Sequence, residues 1–257
     1  MRGPLPGILF ALLAFALFST HDVVVKTLGG TYAPFQVIFF SVLFSFPITT
    51  VVLMRDATAG TLLPVHPKWV IARTFASVLA SICAFYAFSV LPLADAYAIM
   101  FASPLLITLL AIPVLGERVR LRRGLAIVVG LSGIIVVLQP GQAELTLGHL
   151  AALVSAICGA FASVVVRRIG REERSVVLLL YPMVANFLVM GLMLPVVYEP
   201  MPVADLGKVA LIALLAFGAM SCIILAYRHA EAALIAPMQY SQILWALIFG
   251  ALLFGEM

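Results

Sequence analysis

Long stretches without one acidic or basic side chain alternate with short charged spacers along nearly the whole chain. The runs are Gly3–His21, Thr27–Met54, Thr74–Ala94, Ala96–Gly116, Gly124–Ala143, Leu145–Val166, Ser175–Tyr198, Val209–Tyr227 and Ala232–Gly255, each 19 to 28 residues long. A helix needs about 20 apolar residues to cross the hydrocarbon of a bilayer, so each run predicts one crossing. Apolar and polar residues do not alternate within the runs, which excludes barrel strands. Helices are what remain, since lipid offers no partner to free backbone N–H and C=O groups. Pro47, Pro104, Pro113, Pro182, Pro195 and Pro237 fall inside the runs, and a packed bundle tolerates them. The expected fold is an all-α polytopic membrane bundle of nine transmembrane helices.

Composition agrees. Hydrophobic residues make up 64% of the chain and charged residues 10%, where a soluble domain carries about 25% charge. The spacers are too short to hold a soluble domain. The first run is not expected to be a cleaved leader, because no small-residue cleavage site follows it.

The few charges orient the bundle. With the N-terminus in the cytoplasm, all of the 15 Lys and Arg residues except Lys26 and Lys208 fall on the inner side, Arg122 and Arg171 among them. The positive-inside rule therefore predicts a cytoplasmic N-terminus, with the 139–148 connection outside, in the inner (cytoplasmic) membrane of a cell. A nucleic-acid partner is not expected, since the basic residues sit in short loops rather than on one face. The expected partners are a small-molecule solute and the lipid bilayer, and the bundle is compatible with a homodimer.

The chain also repeats itself. Gly7 to Lys26 and Gly148 to Arg167 each end in three valines and a cation. Cys83-Ala-Phe-Tyr-Ala-Phe aligns with Cys222-Ile-Ile-Leu-Ala-Tyr, and Leu115-Gly-Glu117 with Phe254-Gly-Glu256. Three matches in order indicate a duplication: a first five-helix repeat over 1–142 and a second over 143–257. Five is odd, so the second copy is inverted, and inverted repeats are a recurring plan of secondary transporters, with the site near the midplane. A duplicated scaffold with no transport role is the alternative from another class.

On these motifs, together with the Ala-Phe-Ser-Val-Leu-Pro-Leu-Ala-Asp-Ala stretch at 87–96 and Ser103-Pro104, the chain resembles the drug/metabolite transporter superfamily, in its ten-helix EamA-type branch. The resemblance covers the whole chain and implies a central cavity among the first, third, fourth, sixth, eighth and ninth helices. The family pattern continues past the second Gly-Glu with a tenth, peripheral helix. This chain stops at Met257 and is expected to be truncated, with four helices in its second repeat.

Polar residues in lipid are costly and so informative. His21 and Asp22 lie near the outer end of the first helix. Asp22 is expected to pair with Lys26 one turn on, the alternative being a coupling or gating role toward a proton or a cationic substrate group, tuned by His21. Asp95 is expected to favour the dipole at the start of the fourth helix. Arg228, His229 and Glu231 should form a solvated inner loop. On the ninth helix Gln239, Gln242 and Trp245 share a face, and the two amides need partners, in a neighbouring helix or in an aqueous cavity. Tyr86 and Tyr227 would supply aromatic walls, and Phe101 and Ser103 align with Tyr240 and Gln242 in the repeat. These residues form the expected substrate site. Gly124, Gly130 and Gly133 read as close-packing positions. Cys83, Cys158 and Cys222 lack metal or disulfide spacing and read as packing residues.

Enzymatic readings are weak. Gly130-Leu-Ser-Gly133 matches a short pattern of intramembrane serine proteases, but no His is placed to activate the hydroxyl. No phosphate loop or dinucleotide fingerprint occurs, so no cofactor is expected and any transport is passive or ion-coupled. The expected function is alternating-access transport of a small organic metabolite. Amino acids, their derivatives, nucleoside-like metabolites and vitamins such as riboflavin all remain open.

Overall fold

The computed structural model describes residues 5–54, 61–116, 125, 132, 146–170, 172–229 and 236–255, and these contain helices and turns but no strand. In chain order the elements are α1 (Leu5–Gly29), α2 (Pro34–Met54), α3 (Pro67–Val90), α4 (Leu93–Met100), α5 (Ser103–Leu115), α6 (Leu147–Ile169), α7 (Ser175–Val197) and α8 (Val203–His229). A 3₁₀ turn (Ala236–Tyr240), α9 (Ser241–Phe249) and a π turn (Gly250–Phe254) follow. Among the described residues seven segments are long and apolar enough to cross a bilayer, α4 and α5 together forming one of them, and Met238–Phe254 is a shorter apolar helix. The protein is a polytopic helical membrane protein. Of the nine expected crossings, Gly124–Ala143 lies outside the described residues apart from Leu125 and Ser132. With it go the Gly124, Gly130 and Gly133 packing positions, and the Gly-Leu-Ser-Gly match apart from its serine.

Two departures from a plain bundle have local causes. The fourth crossing breaks at Phe101 and Ala102, because Pro104 at the start of α5 has no N–H for the Met100 carbonyl. The chain tightens there, with Ala102 N–H donating to Ile99 O at 3.0 Å. The expected inner loop at Arg228 and His229 is instead the last turn of α8, with the His229 ring 5.7 Å from that of Phe10. The repeated Gly-Glu motif also gains a reason. Gly116 (φ 71°) and Gly255 (φ 64°) end the fourth crossing and the π turn in the left-handed conformation that glycine adopts without strain.

Packing is led by the pairs α1–α8 and α3–α6, with α2–α7 next. Small residues let the first two approach closely, as helices in lipid require: Ala11, Ala14, Ala219 and Ala226 on one side, Ala87, Ala152, Ala156 and Ala160 on the other are buried. Between α2 and α7, Phe39 stacks on Phe187 at 4.8 Å. Toward the Lys26 end one apolar cluster joins α1, α3, α4, α8 and α9 through Leu28, Phe88, Leu93, Ile212 and Ala246. Toward the opposite end the apolar residues form separate clusters. Ala11, Phe15 and Ala226 tie α1 to α8, while Val70, Val165, Ile169 and Val177 tie α3 to α6 and α7.

Basic residues meet carbonyls that helix ends and prolines leave open. Pro182 cannot donate to the Leu178 carbonyl, which accepts from Arg73. Arg168 donates to Val114 O in the last turn of α5 and lies 4.6 Å over the Trp69 ring. At that same end the His66 backbone N–H donates to Glu173 at 2.5 Å, and its ring meets Glu172 at 2.6 Å. At the far end Gln36 exchanges two hydrogen bonds with the Glu199 backbone, at 2.6 and 2.9 Å. There Tyr32 donates to Asp205 at 2.7 Å, and this bond to a carboxylate pushes the phenol's pKa up. Asp95 occupies the first turn of α4, as its dipole role requires.

Candidate functional site

The two irregular stretches of backbone meet at one cavity. It has a volume of about 420 Å³ and is lined by His21 and Asp22 from α1, Ala80, Ser81, Ala84, Phe85 and Phe88 from α3, and Tyr97, Met100, Phe101 and Ser103 around the break in the fourth crossing. Ser155, Ala156 and Gly159 from α6, with Gln239 and Gln242 from the 3₁₀ turn and α9, complete it. Non-helical backbone at membrane depth is tolerated where it lines a cavity. The volume lies within the range of about 300–1,000 Å³ typical of small-molecule sites. A larger hollow of about 580 Å³ lies at the end of the helices among His66, Trp69, Arg167, Arg168 and Glu172. It is lined mainly by polar and charged side chains near helix ends, whereas the smaller cavity is lined by residues from within the spans.

Asp22 is the acidic residue among those lining the cavity, and it is buried, at 7% exposure. It does not pair with Lys26. His21 Nδ1 meets its Oδ1 at 2.7 Å, and the buried Tyr97 hydroxyl donates to its Oδ2. Lys26 turns away, donating to the Leu91 carbonyl with its ammonium 5.2 Å from the Phe254 ring centroid. The reason is geometric: Leu91 precedes Pro92 at the start of α4, where a carbonyl lacks a helical partner, and the lysine reaches it from the last turn of α1. Beside the Tyr97 hydroxyl stand Ser19 and the Gln242 amide. Ser19 Oγ is buried and makes no hydrogen bond among the described residues.

Aromatic rings form the rest of the wall. Tyr97 and Phe101, one turn apart, stack at 5.8 Å, and Phe88 meets Tyr97 edge-on at 5.6 Å. His21 meets Phe85 edge-on at 6.2 Å. Phe101 and Tyr240 touch each other, with ring centroids 5.4 Å apart.

The structure thus brings His21, Asp22, Phe101, Ser103, Gln239 and Gln242 together around one cavity. Tyr86 and Trp245 are not among its lining residues. Trp245 stacks on Phe249 at 5.9 Å instead. Tyr227 lies on α8, and its side chain is outside the described ones. Tyr97, Phe85 and Phe88 were missed by sequence reasoning. The spacing of Tyr97 one turn before Phe101 was the available signal. Among the described residues no group of His, Cys, Asp or Glu could hold a metal ion, and Cys83, Cys158 and Cys222 are free thiols.

A multi-pass helical membrane protein with a mid-bundle cavity belongs in the class of transporters and channels, and comparison with known proteins narrows this. The model of the EamA-like transporter family matches twice, over residues 5–139 and 146–257, so the chain belongs to that family, within the drug/metabolite transporter superfamily. It is similar to the pseudopaline exporter of Pseudomonas aeruginosa, with 26% identity over 97% of this chain and 88% of that protein. It is equally similar to the S-adenosylmethionine uptake transporter of Rickettsia prowazekii, 26% identical over 98% of this chain and 85% of that one. Human solute carrier family 35 member G1 is 26% identical over 99% of this chain and 74% of its own length. A solved crystal structure shares the fold, with a TM-score of 0.59 and 19% identity over 96% of both chains. The protein is a membrane transporter and not an enzyme, as these relatives are.

Proposed function

We propose that this chain is a secondary carrier of small organic metabolites in a cell's inner membrane, working by alternating access between two inverted repeats. The observation that carries this reading is the cavity where the broken fourth crossing meets the 3₁₀ turn of the ninth. Discontinuous helices at mid-membrane are a recurring way to build such sites. The packing supports the inverted repeat: exchanging the halves turns the α1–α8 pair into α3–α6 and returns α2–α7 to itself. It also brings Phe101 onto its own equivalent, Tyr240. The broad apolar cluster that joins several helices at the Lys26 end, beside smaller ones tying two or three helices at the other, supports a state closed outside and open toward the cytoplasm. Relatives named for pseudopaline export and S-adenosylmethionine uptake favour amino-acid-derived metabolites as the substrate class.

The test compares two residues of one helix, using the solute that metabolite profiling of cells with and without the protein identifies. Gln242→Ala is expected to weaken the affinity for that solute by several-fold, the effect of about 0.5–1.5 kcal/mol for one lost hydrogen bond. Trp245→Ala, away from the cavity, is expected to lower the melting temperature and leave the affinity unchanged. The opposite pattern would move the site to the Trp245 face.

Orientation is checked by cysteine labelling with an impermeant reagent. A cysteine at Lys208 should be labelled from outside intact cells and one at exposed Lys68 only after permeabilisation. Labelling of position 68 from outside would invert the topology.

A further inference from the structure

We infer that the cavity selects solutes that carry a positive charge, and that Asp22 is the group that receives it. The inference rests on the carrier reading and adds its substrate chemistry. A carboxylate inside a membrane span is costly unless something compensates it, and here the compensation from protein is partial. His21 Nδ1 meets one carboxylate oxygen and the Tyr97 hydroxyl donates to the other. Lys26, the cation one turn away, donates to the Leu91 carbonyl and lies over the Phe254 ring. The carboxylate faces a cavity whose lining includes no Lys or Arg. A buried carboxyl group thus stands on the wall of an open space.

The rest of the wall suits a cation. Phe85, Phe88, Tyr97 and Phe101 all line the cavity, and aromatic faces attract ammonium, sulfonium and guanidinium groups. Gln242, beside the Tyr97 hydroxyl, adds a neutral amide that can bond polar groups of either sign. An ammonium or sulfonium group held between Asp22 and these rings leaves the remainder of the solute toward Gln239, Gln242 and Ser103. A free anion finds no Lys or Arg among the lining residues.

The experiment profiles metabolites in cells carrying wild-type protein, Asp22→Asn, Asp22→Glu or no protein, with amount and melting temperature measured for each variant. The solutes whose levels shift with wild-type protein are expected to carry an ammonium, sulfonium or guanidinium group. Folded Asp22→Asn is expected to move them about ten-fold or more slowly, the worth of a charge-assisted bond, and Asp22→Glu to retain part of the rate. Shifted solutes without a cationic group overturn the inference, whether or not Asp22→Asn folds. So does a folded Asp22→Asn that keeps the wild-type rate, or one that loses only the response to a proton gradient. No shifted solute with wild-type protein defeats the carrier reading beneath it, a separate result.

Discussion

Replacing Gly159 with tryptophan is expected to stop solute movement while leaving the bundle folded. Gly159 lies in the middle of α6 and lines the cavity. A Cβ built on it meets nothing within 4 Å, so the new side chain enters open space rather than packed neighbours. Glycine within a helix costs roughly 0.5–1 kcal/mol relative to alanine, and its removal offsets the loss of any minor contact. The indole then occupies a large part of a space of about 420 Å³. The expected outcome is a melting temperature within a few degrees of wild type and metabolite levels like those of cells lacking the protein. Gly159→Ala, too small to fill the space, should transport normally. Full transport by the folded tryptophan variant would place the pathway elsewhere.

The largest effect on stability is expected at Gly29. A Cβ there would come within 2.9 Å of the Ser89 Cα, and closer still to its Cβ. The obstacle is backbone of α3, which α6 holds from the other side, so no side-chain rotation relieves the clash. Forced overpacking of this kind costs about 1–3 kcal/mol or more, which lowers the melting temperature of a chain this size by on the order of 5–10 °C. Gly29→Val should also fold in lower yield. Gly30 is the internal control, since a Cβ at that position meets nothing within 4 Å. Thermal unfolding of Gly29→Val and Gly30→Ala in the same detergent checks both, and equal melting temperatures would refute the close approach of α1 to α3.

Much of this was legible in the sequence because lipid leaves the chain few options. Charge-free runs of span length can only be helices, and the described runs are. Asp95 also stands in the first turn of its helix, as expected. The site was legible in part. His21, Asp22, Phe101, Ser103, Gln239 and Gln242 stood out because a polar or repeat-related residue inside an apolar run needs a reason. Tyr97 did not, since a tyrosine in lipid-facing sequence is ordinary, and only folding places its hydroxyl on Asp22. Helical periodicity put Trp245 on the face of Gln242, and in the structure its ring stacks on Phe249. The expected Asp22–Lys26 pair did not form. One-turn spacing made it available, but the open Leu91 carbonyl across the helix interface competed for the lysine.

The measurement that tests the central claim most directly is counterflow in proteoliposomes. Purified protein is reconstituted with an identified solute inside at high concentration, and entry of a trace of the labelled solute is followed. A carrier that alternates access returns to the outer face faster when loaded, so the account predicts saturable, transient accumulation of label above its external level. Filling the cavity by Gly159→Trp should abolish that accumulation. Label that only equilibrates, without saturation and unaffected by solute on the far side, would contradict the account and describe a pore or a leak.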